Sequence, residues 1–223
     1  MTTPRQARLV FLFDVDNTLL NNDFIKQDLE KRMAGFLRPE DERRFWELYE
    51  TVRHETDVVN FPETLKRFGQ GFDDHKSFER LEHLLNGYRF DRHLYAHALD
   101  AIAHVKTLGV AAVVSDGDAE FQPRKIAEAG ITHAVDGRVF IFTHKEQSIV
   151  RVMESIDGER YVMIDDKRRI LASLKNSYQG RFTTVHVAQG HYAEADADMQ
   201  PKPDIELRHI GELRRLKAED FLR

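Results

Sequence analysis

The sequence predicts an α/β fold, a Rossmann-like, doubly wound parallel sheet interrupted by an α-helical insertion. Three observations predict it. Short apolar runs without polar alternation recur along the chain, and such runs read as strands covered on both faces. Helical patterns separate the later runs, and strand–helix–strand alternation favours a parallel sheet. The stretch 21–92 carries helical patterns only.

The first run, Leu9–Phe13, reads LVFLF and ends abruptly in Asp14-Val15-Asp16-Asn17-Thr18. Four helical sets follow. Ile25, Leu29, Met33 and Phe36 recur at spacings of three or four, as do Phe45, Leu48, Tyr49 and Val52. Pro62 opens a shorter helix that ends at Gly69, and Phe78, Leu81, Leu84 and Leu85 form the last set. The sheet pattern then resumes. A helix is expected over His97–Leu108, a strand at Val110–Val114 and a helix over Pro123–Ala129, with Gly130 as its C-cap. Further strands are expected at Val139–Phe142, Tyr161–Ile164 and Phe182–Val187, with a weaker one at Asp204–Leu207. Helices over Lys145–Ile156 and Lys167–Tyr178 lie between them, and Gln189–Pro203 reads as loop.

Composition narrows the function classes. Hydrophobic residues make up 41% of the 223, enough for a sizeable core. The net charge of −5 without long like-charge blocks argues against nucleic acid or an anionic membrane as partner. There is no cysteine, which excludes disulfides, thiolate metal sites and a thiol nucleophile. Met1 to Arg8 is polar and lacks the apolar stretch of a signal peptide. No apolar run approaches the length that spans a bilayer, so a cytoplasmic protein is expected. The sequence does not set the oligomeric state.

The acids fall at strand ends. Asp14 and Asp16 follow the first run, Asp116 follows Val110–Val114, and Asp165 and Asp166 follow Tyr161–Ile164. Ligand sites in open α/β sheets form outside the carboxyl ends of the strands. If these strands are neighbours, the acids converge, and their repulsion calls for a hard divalent cation with oxygen ligands, most simply Mg²⁺. Lys145 stands near another strand end and offers a positive charge. The plainer reading is that each acid caps a helix, since Asp is a favoured N-cap.

Taken together, these residues resemble the haloacid dehalogenase-like hydrolase superfamily. The family's first motif, Asp-x-Asp-x-Thr after an apolar strand, stands here as Asp14 to Thr18, followed by Leu19. Its second is Ser115 in VVSDGD, its third Lys145, and its fourth the pair Asp165-Asp166 in VMIDDK. The resemblance implies a core of 1–20 and 93–223 with a helical cap of 21–92. It implies that Asp14 attacks phosphorus and that Asp16 protonates the leaving oxygen and later activates water. Thr18 holds the motif's geometry and, with Ser115, Asp116 and Lys145, belongs to the phosphate-binding set. Asp14, the backbone carbonyl of Asp16, Asp165 and Asp166 would hold Mg²⁺, with the division between the last two left open.

Asp16 favours phosphate chemistry over carbon–halogen cleavage, because a departing halide needs no proton. The expected activity is therefore a phosphatase acting on a small phosphomonoester. A phosphomutase, a non-catalytic binding module and a haloacid dehalogenase are the alternatives. The chain departs from the family at Ile164, where Gly is common, and at Arg169 and Ile170, where a further acid is common. Lys145 lacks the Pro that often follows the family's Lys. Lys125 is a rival for that role but falls inside a helix pattern and early in the chain. His93 and His97, four apart, read as surface or interface residues that could share a helix face. Gln189-Gly190-His191-Tyr192 reads first as a turn and Arg53-His54-Glu55 as a solvated helix end. The aromatic set around Trp46 reads as core of the insertion.

Overall fold

A computed structural model describes residues 8–222. Apart from Arg8, the polar segment from Met1, on which the expectation about a signal peptide rests, lies outside the described residues. Six strands form one wholly parallel sheet in the order β3-β2-β1-β4-β5-β6. They are β1 (Leu9–Phe13), β2 (Gly109–Asp116), β3 (Val139–Phe142), β4 (Arg160–Asp165), β5 (Phe182–Val187) and β6 (Ile205–Leu207). The order runs outward from β1 in both directions. The crevice between diverging connections therefore opens at the carboxyl ends of β1 and β4, where such sheets place their ligands.

The continuous apolar character of LVFLF follows from its position. Leu9, Phe11 and Phe13 enter the core on one face, with α5 (Ala98–Lys106), α6 (Phe121–Glu128) and α7 (Ile131–Ala134). Val10 and Leu12 enter the core on the other, with α8 (Lys145–Ser155) and α9 (Arg168–Ser177). Both side-chain directions are dry, so alternation has nothing to report. Phe11 meets Phe221 edge-on at 5.0 Å. Truncating Phe11 to Ala would cost about 3–5 kcal/mol through lost burial and the cavity left behind.

The helical patterns of 21–92 form α1 (Asn22–Met33), α2 (Pro39–Thr56), α3 (Phe61–Gly69) and α4 (His75–Asn86). Their starts are written in the sequence. Asn21 accepts from the Phe24 amide, Asn60 from Glu63 and Asp74 from Ser77, each satisfying one otherwise orphaned donor. Pro39 begins α2, where its missing N–H costs nothing. Phe36 falls beyond α1, and Arg44 donates to the carbonyls of Phe68 and Gln70, closing the end of α3. Phe45, Phe61, Phe68 and Leu81 bury the inner side of this segment and join the sheet's first core.

His93 and His97 do not share a helix. His93 ends a 3-10 turn, Phe90–His93, and bonds the Tyr88 hydroxyl, whereas His97 takes a left-handed conformation before α5. Among the described residues, no helix is long and apolar enough to cross a membrane.

Candidate active site

Strand register assembles the site. Phe13 of β1 lies level with Val113 of β2 and Ile164 of β4, so the residues just beyond them meet. Asp14, Asp165 and Asp166 offer oxygens that all lie within 4.8 Å of one another, and all three residues are buried. Asp116 and Asp165 are the last residues of their strands rather than loop residues.

Lys145 reaches into this group from the first turn of α8. Its ammonium hydrogen-bonds Asp14 Oδ1 and stands 2.7 Å from Asp165 Oδ2, an ion-pair distance without hydrogen-bond alignment. Asp116 Oδ1 accepts the Lys145 amide at 2.7 Å, and Asp165 Oδ1 accepts the Lys167 amide at 2.8 Å. Capping and site building thus coincide here. The carboxylates that close the starts of α8 and α9 also fix the elements that carry the cations. Thr18 is wholly buried, and its hydroxyl has no hydrogen-bond partner among the described residues.

Two cations, Lys145 and Lys167, do not balance three buried acids. Burial pushes Asp14 up to about 6, with Lys145 opposing and Asp165 adding to the rise. Burial, together with Asp14 and Asp165, pushes Asp166 up to about 9. Asp14 Oδ2 and both carboxylate oxygens of Asp166 have no hydrogen-bond partner among the described residues. Unpaired buried carboxylates are costly, and a cation among them removes that cost. The donor set is all oxygen, so the cluster suits a hard metal ion.

Asp16 stands apart from that cluster and has its own cation. Lys125 Nζ lies 2.5 Å from Asp16 Oδ1, and Gln122 Nε2 donates to Asp16 Oδ2 at 3.0 Å. Gln122 also donates to Ser115 Oγ at 2.9 Å, which links the second predicted motif to the first. A Cβ on Gly117 would come within 2.6 Å of Gln122, so glycine there lets this side chain pass. Burial works against the Asp16 carboxylate, yet Lys125 and the hydrogen bonds from Lys125 and Gln122 hold it below its ordinary range.

The two lysines weighed against each other in the sequence both reach the site, each on a different acid. Lys125 lies inside a helix, as its pattern shows, but α6 starts directly beyond β2 and brings it to Asp16. Three further groups escape sequence reasoning. Gln122 carries no motif. Lys167 sits beside Asp165-Asp166, and its ammonium lies 5.3 Å from the centre of the Tyr192 ring. His186, buried on β5, bonds the Asp166 carbonyl at 3.0 Å. Only Lys167 has a sequence signal, its place directly after the acidic pair.

The segment after β5 is more than a turn. Gln189 donates to the Thr18 carbonyl and accepts the Ile210 amide. His191 binds Asp23 of α1 through its backbone amide at 2.7 Å and its ring at 2.6 Å. The aromatic set around Trp46 packs as core, but Tyr49 and Phe61 also line a cavity beside Asp16. Arg53 and His54 stay at the exposed end of α2.

The parallel sheet thus gathers buried acids at the ends of β1 and β4 and a lysine from a third strand end into one crevice. The chain belongs to the haloacid dehalogenase-like hydrolase family, whose model matches residues 9–177. It is similar to a haloacid dehalogenase-like hydrolase from Burkholderia xenovorans LB400, with 38% identity, a TM-score of 0.85 and coverage of 96% of this chain and 98% of that one. The fold is also that of an HAD phosphatase from Thermococcus onnurineus, at 17% identity and a TM-score of 0.61, covering 92% and 96%. The L-2-haloacid dehalogenase of Xanthobacter autotrophicus shares it at 15% identity and a TM-score of 0.59, covering 93% and 97%. No curated protein matches the chain.

Proposed function

We propose that the protein is a Mg²⁺-dependent phosphohydrolase that cleaves a small phosphomonoester through an aspartyl-phosphate on Asp14. One observation carries this reading. Beside the metal-type cluster stands a second carboxylate, Asp16, partly buried, doubly held and facing a cavity. Such a group is useful where a leaving oxygen needs a proton and idle where a halide departs.

The Asp14 carboxylate attacks phosphorus, forming an O–P bond as the ester P–O bond breaks. Lys145 holds Asp14 in place and offsets charge on the transferred group. Asp16 gives its proton to the leaving alkoxide. Water then cleaves the aspartyl-phosphate, with Asp16 taking the proton. In the free protein Lys125 keeps Asp16 ionised, and an incoming phosphate dianion raises its pKa by like-charge repulsion, loading the acid when it is needed. Ser115 supplies a hydroxyl to a phosphate oxygen, and Gln122 fixes that hydroxyl against Asp16. Mg²⁺ held by Asp14, Asp165 and Asp166 would neutralise charge on the phosphoryl oxygens. The helices of 21–92 act as a cap that excludes water from the site.

The test is a phosphate-release screen of the purified protein with and without Mg²⁺, with Asp14→Asn as control. Phosphate above the control, dependent on metal, supports the reading. Halide release from 2-haloacids without phosphatase activity would replace it, and isomerised sugar phosphate would point to a mutase.

A further inference from the structure

The group that Asp14 displaces is addressed by the space beside Asp16. A cavity of about 30 Å³ lies where α1, α2 and α3 meet α6, against Asp16 and Lys125. Ile25, Leu29, Val59, Phe61, Phe90 and Phe121 form most of its wall. At about 10–15 Å³ for each water, it holds only a couple of waters with the helices in this position.

The polar groups of the wall are mostly committed. Asp16 and Lys125 engage each other at 2.5 Å. Lys26 faces Glu50 at 3.6 Å, and its ammonium lies 5.4 Å from the ring centres of Trp46 and Tyr49. The Asn22 amide and the Tyr49 hydroxyl are left to meet a ligand.

We propose that the organic part of the substrate is short and mostly apolar, with no more hydrogen-bonding groups than Asn22 and Tyr49 can meet. The inference rests on the phosphohydrolase reading above. A polyol placed here would exchange its water partners for phenyl rings and leave hydroxyls unpaired. An alkyl or phenyl group gains by leaving water and meets Phe61, Phe90 and Phe121. The site therefore discriminates against sugar phosphates and nucleotides.

Matched esters test this. Phosphate release from n-butyl and phenyl phosphate is compared with that from erythritol 4-phosphate and glucose 6-phosphate, all with Mg²⁺. The expected kcat/KM for the apolar esters is at least about tenfold higher. Val59→Asn, a change on a partly exposed wall residue away from the reacting groups, should narrow that ratio. In parallel, calorimetry on Mg²⁺-loaded Asp14→Asn protein compares butylphosphonate with a four-carbon polyhydroxylated phosphonate, and tighter binding of the alkyl compound is expected. Equal or faster turnover of the polyol esters overturns the inference and leaves the phosphohydrolase reading intact. No phosphate from any ester overturns that reading instead. Calorimetry then decides the cavity's preference alone, and equal binding of the two phosphonates overturns it.

Discussion

Lys125, buried, and Asp16, partly buried, form an ion pair of 2.5 Å between α6 and the segment after β1, 109 residues apart in the chain. The pair sets the charge of the carboxylate that the proposed mechanism asks to give and take a proton. Lys125→Met should lower kcat by about a hundredfold, the scale of a general acid's contribution. The acid limb of the pH–rate profile should move upward, because the group that depresses Asp16 is gone. Lys125→Arg should recover part of both. An unchanged profile in Lys125→Met would show that this cation does not govern Asp16.

Metal and pH should act together on stability. Asp14 and Asp166 have folded pKa values above their ordinary value of 3.8, at about 6 and about 9. The folded chain therefore holds protons that the unfolded chain has released, and stability falls as pH rises through those values. Asp16 works in the opposite sense and loses its contribution only as pH falls toward its depressed value. Thermal melts in EDTA should show a decline from about pH 4 to about pH 9. Added Mg²⁺ should stabilise most at the alkaline end, with proton release on binding. A Mg²⁺ effect independent of pH would contradict the protonated cluster.

Asp166→Asn should separate stability from metal binding. The amide keeps the shape and spares the folded chain the proton that a buried Asp166 must take up there. At pH 8 without metal the variant should melt above the wild type, a common outcome where a site is strained for function. It should also lose most of its response to Mg²⁺. A variant that melts lower and still responds would place the metal elsewhere.

Lys145→Met should be damaging without metal. It leaves Asp14 and Asp165 buried with their nearest cation removed. Breaking such a pair costs about 3–5 kcal/mol, readable as a lower urea midpoint. Restoration of part of that loss by Mg²⁺ is expected, since the cation would occupy the same acids.

Gly190→Ala tests the segment after β5. Gly190 has φ +65°, and a Cβ there would lie 2.5 Å from Cγ of Asn17. About 1–3 kcal/mol of strain is expected. Urea denaturation reads the loss, and ring-proton shifts of His191 report whether its bond to Asp23 survives.

Much of this arrangement was legible in the sequence. The unbroken apolar runs located five of the six strands and the weaker pattern Asp204–Leu207 the sixth, and Asp14, Asp165 and Asp166 came together because strand ends are where parallel sheets gather their ligands. Lys145 was placed by its position after β3. Lys125 was not, because a lysine on a polar helix face looks solvated until the neighbouring element is known. Gln122 had no signal at all, since its two hydrogen bonds exist only once α6 crosses the ends of β1 and β2. His191 looked like turn chemistry because the sequence cannot show that α1 begins beside it.

Phe121, Gln122 and Lys125 occupy a single turn of α6. The Phe121 ring packs on Phe61 of α3 at 5.2 Å and on Phe90 at 5.9 Å, while the other two side chains grip Asp16 and Ser115. A helix turn is rigid on the scale of these contacts, so neither grip can shift alone. The arrangement is an interlock: whatever pries the aromatic roof from Phe121 also tugs on the two side chains that steady the acid, and reseating the roof resets them.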